Sequence, residues 1–298
     1  MISVIIPTYK KKEELLKNLK HNLPYLKDCE VIIVNDDPSK SLSKELKEFS
    51  SINLIENNRN LGFSGSINCG IQASKHDLVF LLNSDVLLHD DTYKSLFDMF
   101  KKHTGLFAIV LSQKEKNGTT GGKNRIFWYA GMIRHSRAVN TENGITAWAE
   151  GGSSLMNKSI LKDLEMFDEL YSPFYWEDID LSYRAWKAGY EVLFNSDVAV
   201  THHHESTIGS LYTSQKIREI SYRNQFIFIW KNITDTRLVL SHLAHLPRNL
   251  ASAILRREWI FFSAFFKALF LLPAILMKRI RYNRNTRRTD REVLNLFK

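Results

Sequence analysis

Glu177, Asp178 and Asp180 directly follow the aromatic run Phe174-Tyr175-Trp176. A carboxylate walled by aromatic rings is poorly solvated, which raises its pKa toward the range a general base needs. The same three acids would also suit the first turn of a helix, where negative charge complements the free N–H groups. Both readings stay open at this level. Asn83-Ser84-Asp85 follows the apolar run Leu78–Leu82. A carboxylate at a strand mouth suits Mg2+ or Mn2+, hard cations that keep one or two protein carboxylates when substrate phosphates complete the shell. Asp85 is not needed as a helix cap, because Asp90 is better placed to cap a helix over Asp90–Lys102. His202 opens the run His202-His203-His204-Glu205. Strand alternation puts it on the face of Val198 and Val200, where an imidazole can serve as a metal ligand. The spacing does not match the H-E-x-x-H zinc helix. Asp36-Asp37 follows Glu30–Asn35 and either accepts hydrogen bonds from a base or ribose or closes an Asx turn with Pro38 and Ser39.

The elements that must position these residues read as βαβ units. Strands are expected at Ile2–Pro7, Glu30–Asn35, Ile52–Glu56 and Leu78–Leu82. Helices are expected at Lys10–Leu23, near Ser39–Phe49 and at Gly62–Ser74. Continuous apolar strands separated by helices imply a parallel sheet, and such sheets bind ligands beyond the carboxyl ends of the strands. That rule selects Pro7, Thr8 and Tyr9, residues 35–39, and Asn83, Ser84 and Asp85. The stretch His103–Trp148 is less regular, and Asn117–Asn124 is a polar Gly-rich connection without phosphate-loop spacing. A helix is expected from about Trp176 to Gly189, then strands at Glu191–Phe194 and Val198–His202, then a helix over Tyr212–Lys231.

Composition is that of a globular chain: 298 residues, 44% hydrophobic, 24% charged, two cysteines and a net charge of +9. Disordered and disulfide-framework classes are thereby set aside. The charge is uneven. Arg237 to Lys298 carries 13 Lys/Arg against 3 Asp/Glu, which leaves 28 against 29 for residues 1–236. Within this tail, Trp259–Met277 holds a single charge, Lys267, and is flanked by basic residues on both sides. Its 19 residues are at the low end for a span, and Lys267 and Pro273 weaken that reading. A helix or helical hairpin lying on an anionic leaflet fits better, with an oligomer interface as the other use of such a face. No secretory signal pattern opens the sequence, so a cytoplasmic body attached peripherally to the inner face of the cell membrane is expected.

These features occur in one order: SVIIPTY, an acidic turn, NLGFSGSIN, LLNSD, YAG, WEDIDL, a strand-ending His. That order resembles the inverting glycosyltransferases of the GT-A fold (family 2 type), among them bacterial rhamnosyltransferases of cell-surface polysaccharide synthesis. The resemblance covers about residues 1–206 and is most specific over FDELYSPFYWEDIDLSYRAWKAGYEV. It implies an α/β GT-A fold with a mostly parallel central sheet flanked by helices. Residues 1–102 would be the Rossmann-like nucleotide-sugar half, 103–210 the acceptor-side half, and 211–298 a helical, basic, membrane-associating extension. On that resemblance Asp178 is the catalytic base, and Asp85 with His202 holds Mg2+ or Mn2+. Asp36 contacts the base, and Asn60, Gly62 and Asn68 belong to the donor loop and helix. Trp176 and Glu177 face the acceptor. The family's usual Asp-x-Asp is here Asn83-Ser84-Asp85. Tyr129-Ala130-Gly131 is similar to a motif of the rhamnosyltransferase-like members.

The expected reaction is inverting transfer from a dTDP- or UDP-linked sugar, with dTDP-linked rhamnose as the leading candidate, to a glycan or polyprenyl-linked acceptor. A sugar-1-phosphate nucleotidyltransferase would want a glycine-bearing loop after the first strand, and PTYKKKEELL has none. A nucleic-acid-binding protein would gain nothing from the apolar stretch of the tail. An inactive nucleotide-sugar-binding homologue is opposed by the presence of Asp85, Asp178 and His202.

Overall fold

The computed structural model describes residues 1–49, 51–115, 118–202 and 207–298. Strand β1 (Ser3–Thr8), helix α1 (Lys12–Asn22), β2 (Glu30–Asn35), β3 (Ile52–Glu56), α2 (Gly62–Ala73) and β4 (Leu78–Leu82) form the first half. β2, β1 and β4 are buried nearly throughout, as expected of strands covered on both faces. β1 pairs in parallel with both β2 and β4, and β2 with β3. The close fit of α2 to this sheet needs Gly70, where a Cβ would lie 2.4 Å from Ile5.

One expected element is missing. Residues near Ser39–Phe49 form only a 3-10 turn, Glu45–Glu48. The Glu56 carboxylate instead takes the Leu42 N–H and the Ser41 hydroxyl, while Asn35 Nδ2 donates to the Lys40 carbonyl. Such side-chain bonds compete with a helix for the same backbone groups.

The second half is more ordered than the sequence suggests. It comprises β5 (Val86–Leu88), α3 (Phe97–Lys102), β6 (Leu106–Glu115), β7 (Thr120–Gly121), β8 (Asn124–Tyr129), β9 (Met132–Arg137), β10 (Gly144–Ile145) and β11 (Ser153–Asn157). Then come α4 (Lys158–Asp163), α5 (Glu177–Lys187) and β12 (Glu191–His202). The sheet order is β10-β12-β6-β11-β4-β1-β2-β3, with β5 added to β12 and β7 to β6. β11 runs antiparallel to β4 and β6, so the sheet is mixed. The two strands expected between Glu191 and His202 are one, irregular between Asn195 and Ala199. Of the Gly-rich stretch 117–124, Asn117 lies outside the described residues.

α6 (Thr207–Leu211), α7 (Ser214–Asn232), α8 (Thr236–Leu255), α9 (Trp259–Phe270), α10 (Leu272–Tyr282) and α11 (Asp290–Asn295) complete the chain. Contacts cross the expected boundary at residue 210. Lys231 of α7, closed to solvent, meets Asp168 at 2.5 Å and Asp180 at 2.7 Å. Phe297 packs on Trp186 of α5. α9 and α10 are two helices meeting at 65°, and no single helix among the described residues is long and apolar enough to cross a membrane.

Candidate active site

A cavity of about 440 Å³ opens beyond the carboxyl ends of β1, β2 and β4. Of the residues selected from the sequence, Pro7, Thr8, Tyr9, Asp36, Asn60, Gly62, Asn83, Ser84, Asp85, Glu177, Asp178 and His202 all line it. Strand register explains the hardest of these coincidences. β5 pairs antiparallel with β12 so that His202 faces Val86, and this sets Asp85 beside the imidazole. His202 Nε2 lies 3.2 Å from Asp85 Oδ1. Two asparagines of α1 hold the segment in place: Asn18 Nδ2 donates to the Ser84 carbonyl, and Asn22 bonds both the Val86 carbonyl and the Leu88 N–H.

Asp36 is buried, and its carboxylate accepts the N–H of Leu61 at 2.8 Å, the N–H of Gly62 at 2.9 Å and Asn57 Nδ2 at 2.8 Å. Its structural work is therefore to pin the loop that leads into α2. The Gly62 N–H also donates to Asn60 Oδ1. Gly62 has φ of +73°, and a Cβ there would come within 3.1 Å of the Pro173 backbone. This approach ties the loop that leads into α2 to the segment that precedes α5.

α5 begins after two residues of positive φ, Tyr175 at 71° and Trp176 at 77°. Non-glycine residues in that region cost about 1–3 kcal/mol each and persist where surrounding structure over-determines them. Asn224 of α7 supplies that constraint: its Nδ2 lies within 3.0 Å of the Tyr171, Phe174 and Tyr175 carbonyls. The turn aims Glu177 and Asp178 at the cavity. Burial, and secondarily the charge of Glu150, pushes the Asp178 carboxyl up to about 7, against the opposing N–H groups of Ile179 and Gly151. Burial and the Asp178 charge hold the Glu177 carboxyl well above the usual range, and its Oε2 is buried without a hydrogen-bond partner.

Three expectations shift in the structure. Trp176 does not line the cavity. It is buried against His135 and Phe228, because the αL turn sends its side chain inward, and Tyr175 takes the cavity wall instead. Asn68 is likewise internal: both ends of its amide bond the Phe167 backbone, fixing α2 to the segment after α4. Asp180, the third acid of the run, is closed to solvent and takes Tyr171 Oη, Arg184, Lys231 and Asn232. Tyr129-Ala130-Gly131 is the turn of the β8–β9 hairpin, held on α8 by His242 and Asn249. His203 and His204 lie outside the described residues.

Sequence reasoning missed Glu150, Gln113 and Tyr212, which also line the cavity. A signal for the first was present in Glu150-Gly151-Gly152. A Cβ on Gly151 would be 2.6 Å from the Phe63 ring, and one on Gly152 2.9 Å from Asn83 Nδ2. Paired glycines after an acid thus mark close packing around the cavity.

Among the described residues no group of three or more His, Cys, Asp or Glu is arranged to hold a metal ion. The donor set still fits a hard divalent cation. Asp85 Oδ1 and Asn83 Oδ1 are buried without hydrogen-bond partners, and an imidazole nitrogen stands next to the first. Two protein ligands suffice where phosphate oxygens complete the shell.

The profile of the family described as "Glycosyl transferase family 2" matches residues 3–165. A dolichyl-phosphate beta-glucosyltransferase of Trichomonas vaginalis is 30% identical over 132 residues, 39% of this chain and 41% of that protein. The low-salt glycan biosynthesis hexosyltransferase Agl10 of Haloferax volcanii is 22% identical over 237 residues, 76% of this chain and 74% of that protein. A crystal structure of GalNAc-T7 with UDP, GalNAc and Mn2+ superposes with a TM-score of 0.61 at 17% identity, over 79% of this chain and 48% of that one. The chain thus spans less than half the length of two of these three, and the last likeness establishes the GT-A fold.

Proposed function

The chain belongs to glycosyl transferase family 2, and from that premise we propose that it moves a hexose, with inversion, from a nucleoside-diphosphate donor to a lipid-linked or glycan acceptor. The observation that carries this reading is the meeting, in one cavity, of a carboxylate with a raised pKa and the Asp85–His202 pair. Asp178 is the general base. It takes the proton of an acceptor hydroxyl as that oxygen bonds to the anomeric carbon, and the bond from that carbon to the diphosphate oxygen breaks. The nucleoside diphosphate leaves with the electron pair, and one displacement inverts the centre. Asp85 and His202 would hold Mg2+ or Mn2+, which when bound offsets charge on the departing diphosphate. Thr8, Tyr9, Asn60 and Asp36 line the donor side of this arrangement, Tyr175 and Glu177 the acceptor side.

The acceptor class draws support from the names of the Trichomonas and Haloferax relatives, a dolichyl-phosphate glucosyltransferase and a glycan hexosyltransferase. Rhamnose and a role in bacterial surface polysaccharide are the finer form of the same reading. The hairpin-turn position of Tyr129-Ala130-Gly131 lends rhamnose no support; the nucleotide panel below names the donor's base, which narrows the choice of sugar.

Attachment to an anionic membrane surface belongs to the proposal. Trp259, Phe266, Phe270, Met277 and Ile280 expose apolar side chains on α9 and α10 amid the basic residues of the tail. Glu219 ties this hairpin to α7 through Ser263 and Lys267, seven positions after the cavity residue Tyr212. A lipid-linked acceptor would then enter beside the surface that holds its tail.

The test is thermal unfolding with UDP, dTDP, GDP or CMP, each with and without Mn2+. A ligand that binds only the folded state raises Tm by mass action. The expected result is a rise with one nucleotide that requires the metal, which names the donor's base. A well-folded sample that responds to none of them would overturn the reading.

A further inference from the structure

Gln113 stands between the cavity and the interior, on β6 and nearly closed to solvent. Its side chain joins two groups far apart in sequence. Gln113 Nε2 donates to Glu150 Oε2 and lies 2.8 Å from Ser153 Oγ, while Gln113 Oε1 is 2.8 Å from His202 Nδ1. The other oxygen of Glu150 accepts Asn124 Nδ2 at 2.6 Å.

The orientation of a glutamine amide has to be argued from its partners. Here the carboxylate decides it. Glu150 can only accept, so it requires the amide NH2 on its side, and a flipped amide would set two acceptors against each other. With the NH2 committed, Oε1 faces the imidazole and needs a donor there. The hydrogen of neutral His202 must then sit on Nδ1. Nε2, 3.2 Å from Asp85 Oδ1, can then offer its lone pair to a cation that also takes the carboxylate. Two acceptors at that distance suit a cation shared between them.

We propose that Glu150 and Gln113 are positioning residues that set the His202 tautomer, presenting Nε2 together with Asp85 to a divalent cation. The inference rests on the cation reading of Asp85 and His202 and extends it to two residues that touch neither the cation nor the reacting atoms. Outer partners of a metal-binding histidine typically carry 10–100-fold in metal affinity. Because the three groups act in series, removing two of them should cost no more than removing one.

The experiment is Mn2+ titration of the whole protein with saturating UDP, following free Mn2+ by electron paramagnetic resonance. Wild type, His202→Ala, Glu150→Gln, Gln113→Ala and the Glu150→Gln/Gln113→Ala double variant are compared, with Tm as the folding control. Imidazole 15N spectra of the metal-free wild type and Glu150→Gln, recorded at a pH where the imidazole is neutral, report the tautomer without any activity. The expected result is a loss of roughly 10-fold or more for each single variant and no further loss in the double. The His202 signal should move from the Nδ1–H form in wild type to a mixture in Glu150→Gln. If His202→Ala binds Mn2+ as wild type does, the cation reading itself fails. If His202→Ala loses Mn2+ while Glu150→Gln and Gln113→Ala keep it, or if wild-type His202 carries its hydrogen on Nε2, the positioning role is overturned and the cation site stands.

Discussion

Lys231 reaches Asp168 at 2.5 Å with both side chains closed to solvent. The same ammonium lies 2.7 Å from Asp180, and Lys278 of α10 approaches Asp168 from the other side. Arg184 completes the cluster through Asp180. Buried charges survive only when paired, and this set joins α5, α7 and α10 to the body that carries the cavity. Removing one partner strands the others. Lys231→Met should lower unfolding free energy by about 3–5 kcal/mol. Urea denaturation measures this, and a loss below about 1 kcal/mol would show that the cluster contributes little.

Asp178→Asn should reduce transfer by at least about 100-fold, the usual range for a positioned base. Nucleotide-induced stabilisation should remain, because the donor is held elsewhere. Wild-type turnover should rise with pH through about 7, where the Asp178 carboxyl ionises, and level off above it. A variant that retains near-normal turnover would remove Asp178 from its role.

The same substitution should affect stability in the opposite sense. The Asp178 pKa in the folded protein, about 7, lies above the ordinary aspartate value of 3.8, so the folded state binds more protons between those values. Stability contributed by the neutral form is therefore present at low pH and lost as pH rises toward 7. Asp178→Asn abolishes that loss and should stabilise the protein at pH 8 by on the order of 2–4 kcal/mol. The difference should vanish near pH 4. Calorimetry at the two pH values checks it, and equal effects at both would contradict the raised pKa.

Asp85→Ala should abolish the Mn2+-dependent part of any nucleotide-induced rise in Tm, and EDTA should do the same to wild type. Asp85 Oδ1 and His202 Nε2 are the adjacent atoms offered to the cation. Persistence of the full shift in EDTA would place nucleotide recognition entirely on protein groups.

Phe266→Glu with Phe270→Glu should weaken binding to vesicles containing phosphatidylglycerol by at least about 10-fold, since both side chains face solvent on α9. Raising salt should weaken wild-type binding too, because part of the attraction is ionic. Vesicle flotation reads both effects. Unchanged flotation of the double variant would send the apolar face to another use.

The amino-acid sequence by itself determined the local matters. Apolar runs such as Glu30–Asn35 and Leu78–Leu82 form strands with the expected bounds, because a strand covered on both faces needs nothing more than a continuous apolar stretch. The acids after the aromatic run start a helix, as first-turn carboxylates do. Short-range competition was harder to see: the stretch near Ser39–Phe49 has helical spacing, yet the Glu56 carboxylate captures the Leu42 N–H and the Ser41 hydroxyl. What only the tertiary structure decided is which side chain faces the cavity and which residues meet there. Trp176 turns inward and Tyr175 outward because Asn224, 48 positions beyond Trp176 in the chain, holds the carbonyls of that turn. Asp85 meets His202 because β5 pairs with β12, a register that no local pattern encodes. Gln113 and Glu150 are ordinary polar residues in the sequence, and the sheet puts them behind that histidine. Local patterns are set by neighbours a few residues apart, whereas a site is set by the long-range pairings that fold distant strands into one wall.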